Sequence, residues 1–184
     1  MSPFLITILV IIAAVVLYVI SAYNKGITLR NYVREAFSTM DVYMKKRWDL
    51  IPNLIESVKG YMEHEKGLLN QLTDLRTKNY ADMSIGEKLQ TNMQLGTIVP
   101  KLLAVAENYP NLRASENFNT LMNDLSSVEE DIANARKYYN GTVRTLNTFT
   151  EVFPSNIICN IFGFKPEKLF EIDDSQRQNI KIKF

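Results

Sequence analysis

Cysteine and histidine are almost absent from this chain, which has one of each in 184 residues. A single cysteine, Cys159, excludes an intramolecular disulfide framework and any cysteine-rich metal site. Its place in an apolar run makes it a small buried hydrophobe. The one histidine, His64, stands between Glu63 and Glu65, but the positions one helical turn away are Gly60 and Leu68. The ligand spacing of a helical metal motif is therefore missing, and no metal site is expected. Also absent are G-x-S-x-G, G-x-x-x-x-G-K-[ST] and G-x-G-x-x-G, the local frames for an activated serine, a phosphate cradle and a dinucleotide. Acidic pairs such as Glu129 and Glu130 are adjacent in sequence, so on a helix they diverge rather than face one substrate. No cofactor, no small-molecule substrate and no enzyme activity are expected. Charge of one sign is lacking too: 21 basic residues stand against 20 acidic ones. Nothing in that balance suits a nucleic-acid binder.

What the chain does have begins at residues 4–23, FLITILVIIAAVVLYVISAY, a run without a charge from Phe4 through Ile12 to Tyr23. At 1.5 Å per residue it covers about 30 Å as a helix, the thickness of a bilayer's hydrocarbon core. A cleaved secretory signal is the alternative, since Ile20, Ser21 and Ala22 form a passable cleavage site. The basic residues that usually precede such a signal's apolar core are missing, and no cysteine follows to accept a lipid. A retained anchor is the better reading. Lys25, Arg30 and Arg34 follow the run and none precedes it. By the positive-inside rule the N-terminus then lies outside and the rest in the cytoplasm, a single-pass arrangement.

The stretch 31–78 organises the remainder. Val33, Phe37, Met40, Met44, Trp48, Ile51, Ile55, Val58, Met62, Leu69, Leu72 and Leu75 recur at alternating spacings of three and four. Such spacing lines one helical stripe and demands an apolar partner along its length. Pro52 interrupts it; proline removes an interior helix hydrogen bond at a cost of about 3 kcal/mol. The helix therefore either kinks there, or ends near Asp49 with a second one starting around Pro52. Lys45, Lys46 and Arg47 are three consecutive bases within the stretch. They are candidates for contact with anionic lipid or an acidic partner surface. The plainer reading is a solvated face, because adjacent residues point around a helix.

After a connection at residues 80–83, Ser84 and Glu87 have the S-x-x-E form of a capping box. They open a helix running to about Glu107, with Leu89, Met93, Ile98, Leu102, Leu103 and Ala106 as its expected core face and a bend expected at Pro100. Residues 108–111, with Pro110 among them, close that helix, and Ser115 is placed to cap the next one. Residues 116–153 repeat Phe118, Leu121, Leu125, Val128, Ile132, Ala135, Tyr139, Val143, Leu146, Phe149 and Phe153, a second long stripe ended by Pro154. Away from that stripe the segment is short of charge, with nine charged residues against thirteen Asn, Ser or Thr. A face meant only for water usually carries interspersed Lys and Glu, and charge is depleted at interface cores. Asn123, Ser127 and Asn134 are accordingly candidates for a self-association face, with an overall bias toward asparagine as the competing explanation. Residues 157–164, IICNIFGF, pack onto the bundle or touch membrane or another subunit, the first being preferred. Residues 173–178 read as loosely ordered, and the alternation at Ile180, Ile182 and Phe184 is too short for a strand.

Four stretches also carry a family resemblance: VREAFSTMDVYMKKRWDLIPNLIESVKGYMEHE, ENYPNLRASENFNTLMNDL, ARKYYN and FPSNIICNIFGFKPEKLFE. Their content and order resemble the LemA family of bacterial membrane proteins, from whose pattern Trp48 and Pro100 depart. The resemblance implies a helical-bundle domain behind one membrane anchor in the inner membrane of a bacterial cell, favours a four-helix description and implies no established biochemical activity. The expected fold is thus all-α: an up-and-down helical bundle, of four helices if Pro52 breaks the first, preceded by one transmembrane helix. Expected divisions are an anchor at 1–24, a bundle domain at 25–164 and a tail at 165–184. If Pro52 breaks the helix, IICNIFGF returns to the membrane end; if it only kinks, that stretch lies elsewhere. Two functions remain open: a scaffold that self-associates as a homo-oligomer to organise or shape membrane, and an adaptor recruiting another membrane-associated protein. Besides itself, the expected partner is the lipid bilayer.

Overall fold

A computed structural model describes residues 2–61 and 65–170. His64 and the features at 173–178, Ile180, Ile182 and Phe184 lie outside the described residues. Among those described every regular element is helical: α1 Pro3–Lys59, α2 Lys66–Leu75, a 3-10 turn Tyr80–Asp82, α3 Ile85–Ala106, α4 Pro110–Arg113, α5 Glu116–Glu151 and α6 Ser155–Phe162.

Pro52 does not break the first helix. It lies inside α1, which runs unbroken from the apolar run to Lys59, and the interruption of the stripe comes at Gly60 instead. Glycine is about 1 kcal/mol less favourable than alanine in a helix. Pro52 is tolerated because its neighbours Ile51, Leu54 and Val58 are completely buried. Burying one such side chain contributes about 1.5–3 kcal/mol, so three of them outweigh one missing hydrogen bond. Ile55, expected in the core, is only half-buried, and Leu54 takes its place.

The capping box forms as expected: the Glu87 amide donates to Ser84 Oγ at 3.3 Å, and the Ser84 amide donates to Glu87 Oε2 at 2.9 Å. The face of α3 differs from expectation. Met93 is exposed, whereas Asn92, Leu95 and Val99 are buried beside Ile98, Leu102 and Ala106. Helix α3 passes through Pro100. Ser115 caps α5, its Oγ accepting from the Phe118 amide at 3.5 Å. The α5 stripe is buried from Phe118 to Phe149, with Tyr139 half-buried, but the helix stops at Glu151 and Phe153 is 80 % exposed.

The chain forms two compact units: one holds the chain up to Phe37 and from Arg136 on, the other is Ser38–Ala135. The first has a core of Ala22, Leu29, Val33, Val143, Leu146, Phe149, Ile158, Cys159 and Phe164, with Val19, Ile27 and Tyr139 packed against it. IICNIFGF therefore does reach the end of the apolar run, although α1 is unbroken. The expected division at residue 24 is crossed as well, since Val19 and Ala22 belong to this core. Gly26 lets α1 approach Phe164: a Cβ there would stand 2.9 Å from the ring's Cζ, closer than carbon atoms pack. The extended segment after α6 is held along α5 by two side-chain amides two turns apart. Asn147 donates to the Glu167 carbonyl at 2.9 Å and accepts from its amide at 2.8 Å. Asn140 does the same for Phe170 at 3.0 and 2.8 Å. Part of the asparagine of α5 thus has a local purpose: these amides satisfy backbone groups that no helix or strand serves.

The second unit buries Met40, Met44, Trp48, Ile51, Leu54 and Val58 of α1. Leu72 of α2, Leu95 and Leu102 of α3, Leu112 of α4 and Leu125, Val128 and Ile132 of α5 are buried in the same unit.

Candidate functional site

Phe4 and Ile12 are 72 % and 53 % exposed, and almost the whole of residues 4–23 is bare. A helix this long and apolar, with no protein around it, is suited by length and composition to cross a membrane. Tyr23 marks the change. Its ring is 4.9 Å from Phe162 and 5.9 Å from Phe164, so the first unit begins packing at the last turn of the run.

The three consecutive bases separate. Lys46 points to water. Lys45 is partly exposed and pairs with Asp49 one turn on. Arg47 is 2 % exposed and cannot meet a lipid or an outside partner. Its guanidinium donates to Glu129 Oε2, to the Asn92 carbonyl and, at 2.5 Å, to Asn92 Oδ1. A planar fork of donors suits this arrangement, in which one carboxylate and one amide are met from a fixed position. The burial of Asn92 in place of Met93 follows from it.

A second polar cluster in the same unit was not visible in the sequence. Tyr80 Oη donates to Asp41 Oδ1 at 2.7 Å, and Lys88 Nζ donates to Asp41 Oδ2 at 2.8 Å. The Lys88 ammonium lies 4.8 Å from the centre of the Tyr80 ring, which packs on Trp48 at 5.7 Å. Burial raises the Tyr80 phenol well above its ordinary range, and the bond to Asp41 raises it further, so it remains a donor. Glu87 lies at the other extreme. Its bond from Lys78, followed by those from Ser84, holds its carboxyl at about 2. Each cluster joins side chains from different elements of the second unit, so both act as fasteners. Burial likewise raises the Cys159 thiol, which disfavours the reactive thiolate. Among the described residues no three His, Cys, Asp or Glu side chains lie close enough to share a metal ion.

Asn123, Ser127 and Asn134 are exposed on α5. Elsewhere, in the first unit, Leu29, Tyr32, Lys137, Tyr138, Gly141, Thr142 and Thr145 line a shallow open groove. It carries one charge and no catalytic pair.

The sequence profile of the LemA family matches residues 36–184. The chain is similar to "Magnetosome protein MamQ 2" of Paramagnetospirillum magneticum. The two are 23 % identical over 186 residues, covering 87 % of this chain and 68 % of that protein. "Magnetosome protein MamQ" of Magnetospirillum gryphiswaldense is 21 % identical over 174 residues, covering 80 % and 64 %. "Protein LemA" of Metamycoplasma hominis is 22 % identical over 152 residues, covering 82 % and 69 %.

Proposed function

Because this chain belongs to the LemA family, we propose that it is a membrane-anchored, non-enzymatic helical scaffold that self-associates and organises or shapes the membrane it enters. The observation that carries this reading is α1 itself: one helix joins a bare apolar run to the bundle core without an intervening loop. Packing of Val19 and Ala22 into the core of the first unit fixes that unit's direction relative to the run, as a scaffold requires and a flexible tether does not provide. The exposed, uncharged Asn123, Ser127 and Asn134 supply a side contact. Anchoring raises the effective concentration of copies in one bilayer, so weak contacts add up.

Full-length protein in mild detergent and in nanodiscs should therefore run as an oligomer by mass photometry and cross-linking. Replacing Asn123 and Ser127 together with lysine should shift it toward monomer while circular dichroism keeps its helical signal. Wild-type protein that stays monomeric in every mild detergent and in nanodiscs would end the scaffold reading. The adaptor reading would then stand, supported by the groove between Leu29 and Thr145.

The bundle is assigned to the cytoplasm from Lys25, Arg30 and Arg34 just past the apolar run. A cysteine at the exposed position Gln94, in a Cys159→Ala background, should escape an impermeant thiol reagent in intact cells and react after lysis. Labelling without lysis reverses the orientation.

A further inference from the structure

Helix α6 has two apolar faces, and only one of them is buried against the first unit. Ser155, Ile158 and Cys159 are buried. On the other side Ile157 is 49 % and Ile161 68 % exposed; with Phe162 at the helix end and Phe153 just before its start, they form an uncovered apolar surface with Asn160 at its edge. Isolated exposed hydrophobes are ordinary, but a contiguous cluster of isoleucine and phenylalanine marks a contact surface.

The depth of this surface is set by what α6 packs against. Val19 and Ala22 share a core with Ile158, Cys159 and Phe164, and the Phe162 ring lies 4.9 Å from Tyr23. Those three residues form the last turn of a twenty-residue apolar run. Such a run is about as long as the hydrocarbon core is thick, so its last turn lies at the boundary of that core. Whatever packs on Val19 and Ala22 lies at the same level. Just past that level, the Lys25 ammonium lies 5.6 Å from the centre of the Phe149 ring and the Arg30 guanidinium 5.5 Å from that of Phe164. Charges held there are at the height of lipid headgroups, whose phosphates are anionic, and aromatic rings favour the same zone.

We propose that α6 is an in-plane membrane element, and that Phe153, Ile157, Ile161 and Phe162 enter the leaflet through which α1 leaves the bilayer. The anchor and α6 then grip one leaflet at two points, which holds the bundle against rotation about α1. Amphipathic helices lying in the interface bind in this way, with the apolar face shallow in the acyl region. The occupant is lipid rather than a second copy because the surface is continuous with the apolar surface of the anchor itself. This proposal rests on the anchored reading above.

The test uses the full chain with Cys159→Ala, reconstituted in phosphatidylcholine–phosphatidylglycerol vesicles. Single cysteines replace Ile161, Ile12 or Gln94, and each carries an environment-sensitive fluorophore. The Ile161 label is expected to shift to the blue and to lose intensity with lipids bearing a nitroxide high on the acyl chain, more than with one placed deep. The Ile12 label should show the opposite preference and the Gln94 label no loss. Ile157→Cys repeats the measurement should Ile161→Cys lose its helical signal. An Ile161 label that stays unquenched beside a quenched Ile12 label overturns the proposal and leaves the anchor standing. If neither is quenched, the anchored reading fails first. A blue-shifted but unquenched Ile161 label, with disulfide-linked dimers of the Ile161→Cys protein, would show a second copy on this face and also overturn it.

Discussion

Arg47→Ala should destabilise the protein by about 1–3 kcal/mol, the range for leaving a buried hydrogen-bonding group without its partner. Lys45→Ala and Lys46→Ala, its two neighbours in sequence, should each stay within about 0.5 kcal/mol, as surface changes usually do. The contrast follows from burial. Arg47 is 2 % exposed, and its removal empties the space of a long side chain and strands Asn92 Oδ1, which is buried with it. Glu129, about half exposed, returns to water at little cost. Glu129→Ala is the complementary change. It removes the carboxylate that balances a buried guanidinium, and about 3 kcal/mol is expected, at the low end of the range for breaking a buried pair because water can partly reach the vacated place. The double variant Arg47→Ala, Glu129→Ala should cost no more than Arg47→Ala alone, since Glu129 stabilises through Arg47. Chemical denaturation of these five variants beside the wild type in one detergent checks this. Equal costs for Arg47→Ala and Lys46→Ala would remove the buried network from the account.

Leu54→Ala should cost about 2–5 kcal/mol through lost burial and the cavity left behind, and Leu125→Ala the same. Ile55→Ala should cost about 1 kcal/mol, the centre of the general distribution for point changes. Leu54 is completely buried, whereas Ile55 lines a shallow surface depression with Pro52, Glu56, Thr73 and Arg76. The same denaturation series decides it: a loss at Ile55 as large as that at Leu54 would mean the buried face of α1 is wrongly placed. Both residues are apolar and each continues the stripe from Ile51, by three or by four. Sequence spacing alone does not choose between them, because a 3.6-residue period alternates steps of three and four. The neighbours that fill the space around α1 make the choice.

The same distinction separates what was legible from what was not. Residues 4–23 announce their surroundings by composition, since a charge-free run of that length suits hydrocarbon whatever follows it. The stripes of α1 and α5, the capping box of Ser84 with Glu87 and the cap from Ser115 are equally local. The partners in the two caps lie within about one turn, so the residue pattern contains the whole interaction, and a stripe shows by its period alone which face of its helix must be covered. The all-α fold follows from these features alone.

Tertiary structure decided everything whose partner lies far away in the chain. Arg47 looked like its neighbours Lys45 and Lys46 until α5 brought Glu129 to it from 82 residues away and α3 brought Asn92 from 45. Met93 gave way to Asn92 for that reason, because a buried guanidinium needs an acceptor more than the core needs one more thioether. The pairing of Tyr80 with Asp41, and the amides of Asn140 and Asn147 that hold residues 167–170, carry no local signature either. The apolar stretch of α6 was plain in the sequence, but what it packs against was not. That came from Val19, Ala22 and Tyr23, which belong at once to the apolar run and to the packing of the first unit. Sequence determines which surfaces must be buried or capped. When several surfaces could satisfy one another, only the packed chain determines which ones do, because burial is shared between segments and neither segment alone encodes the match.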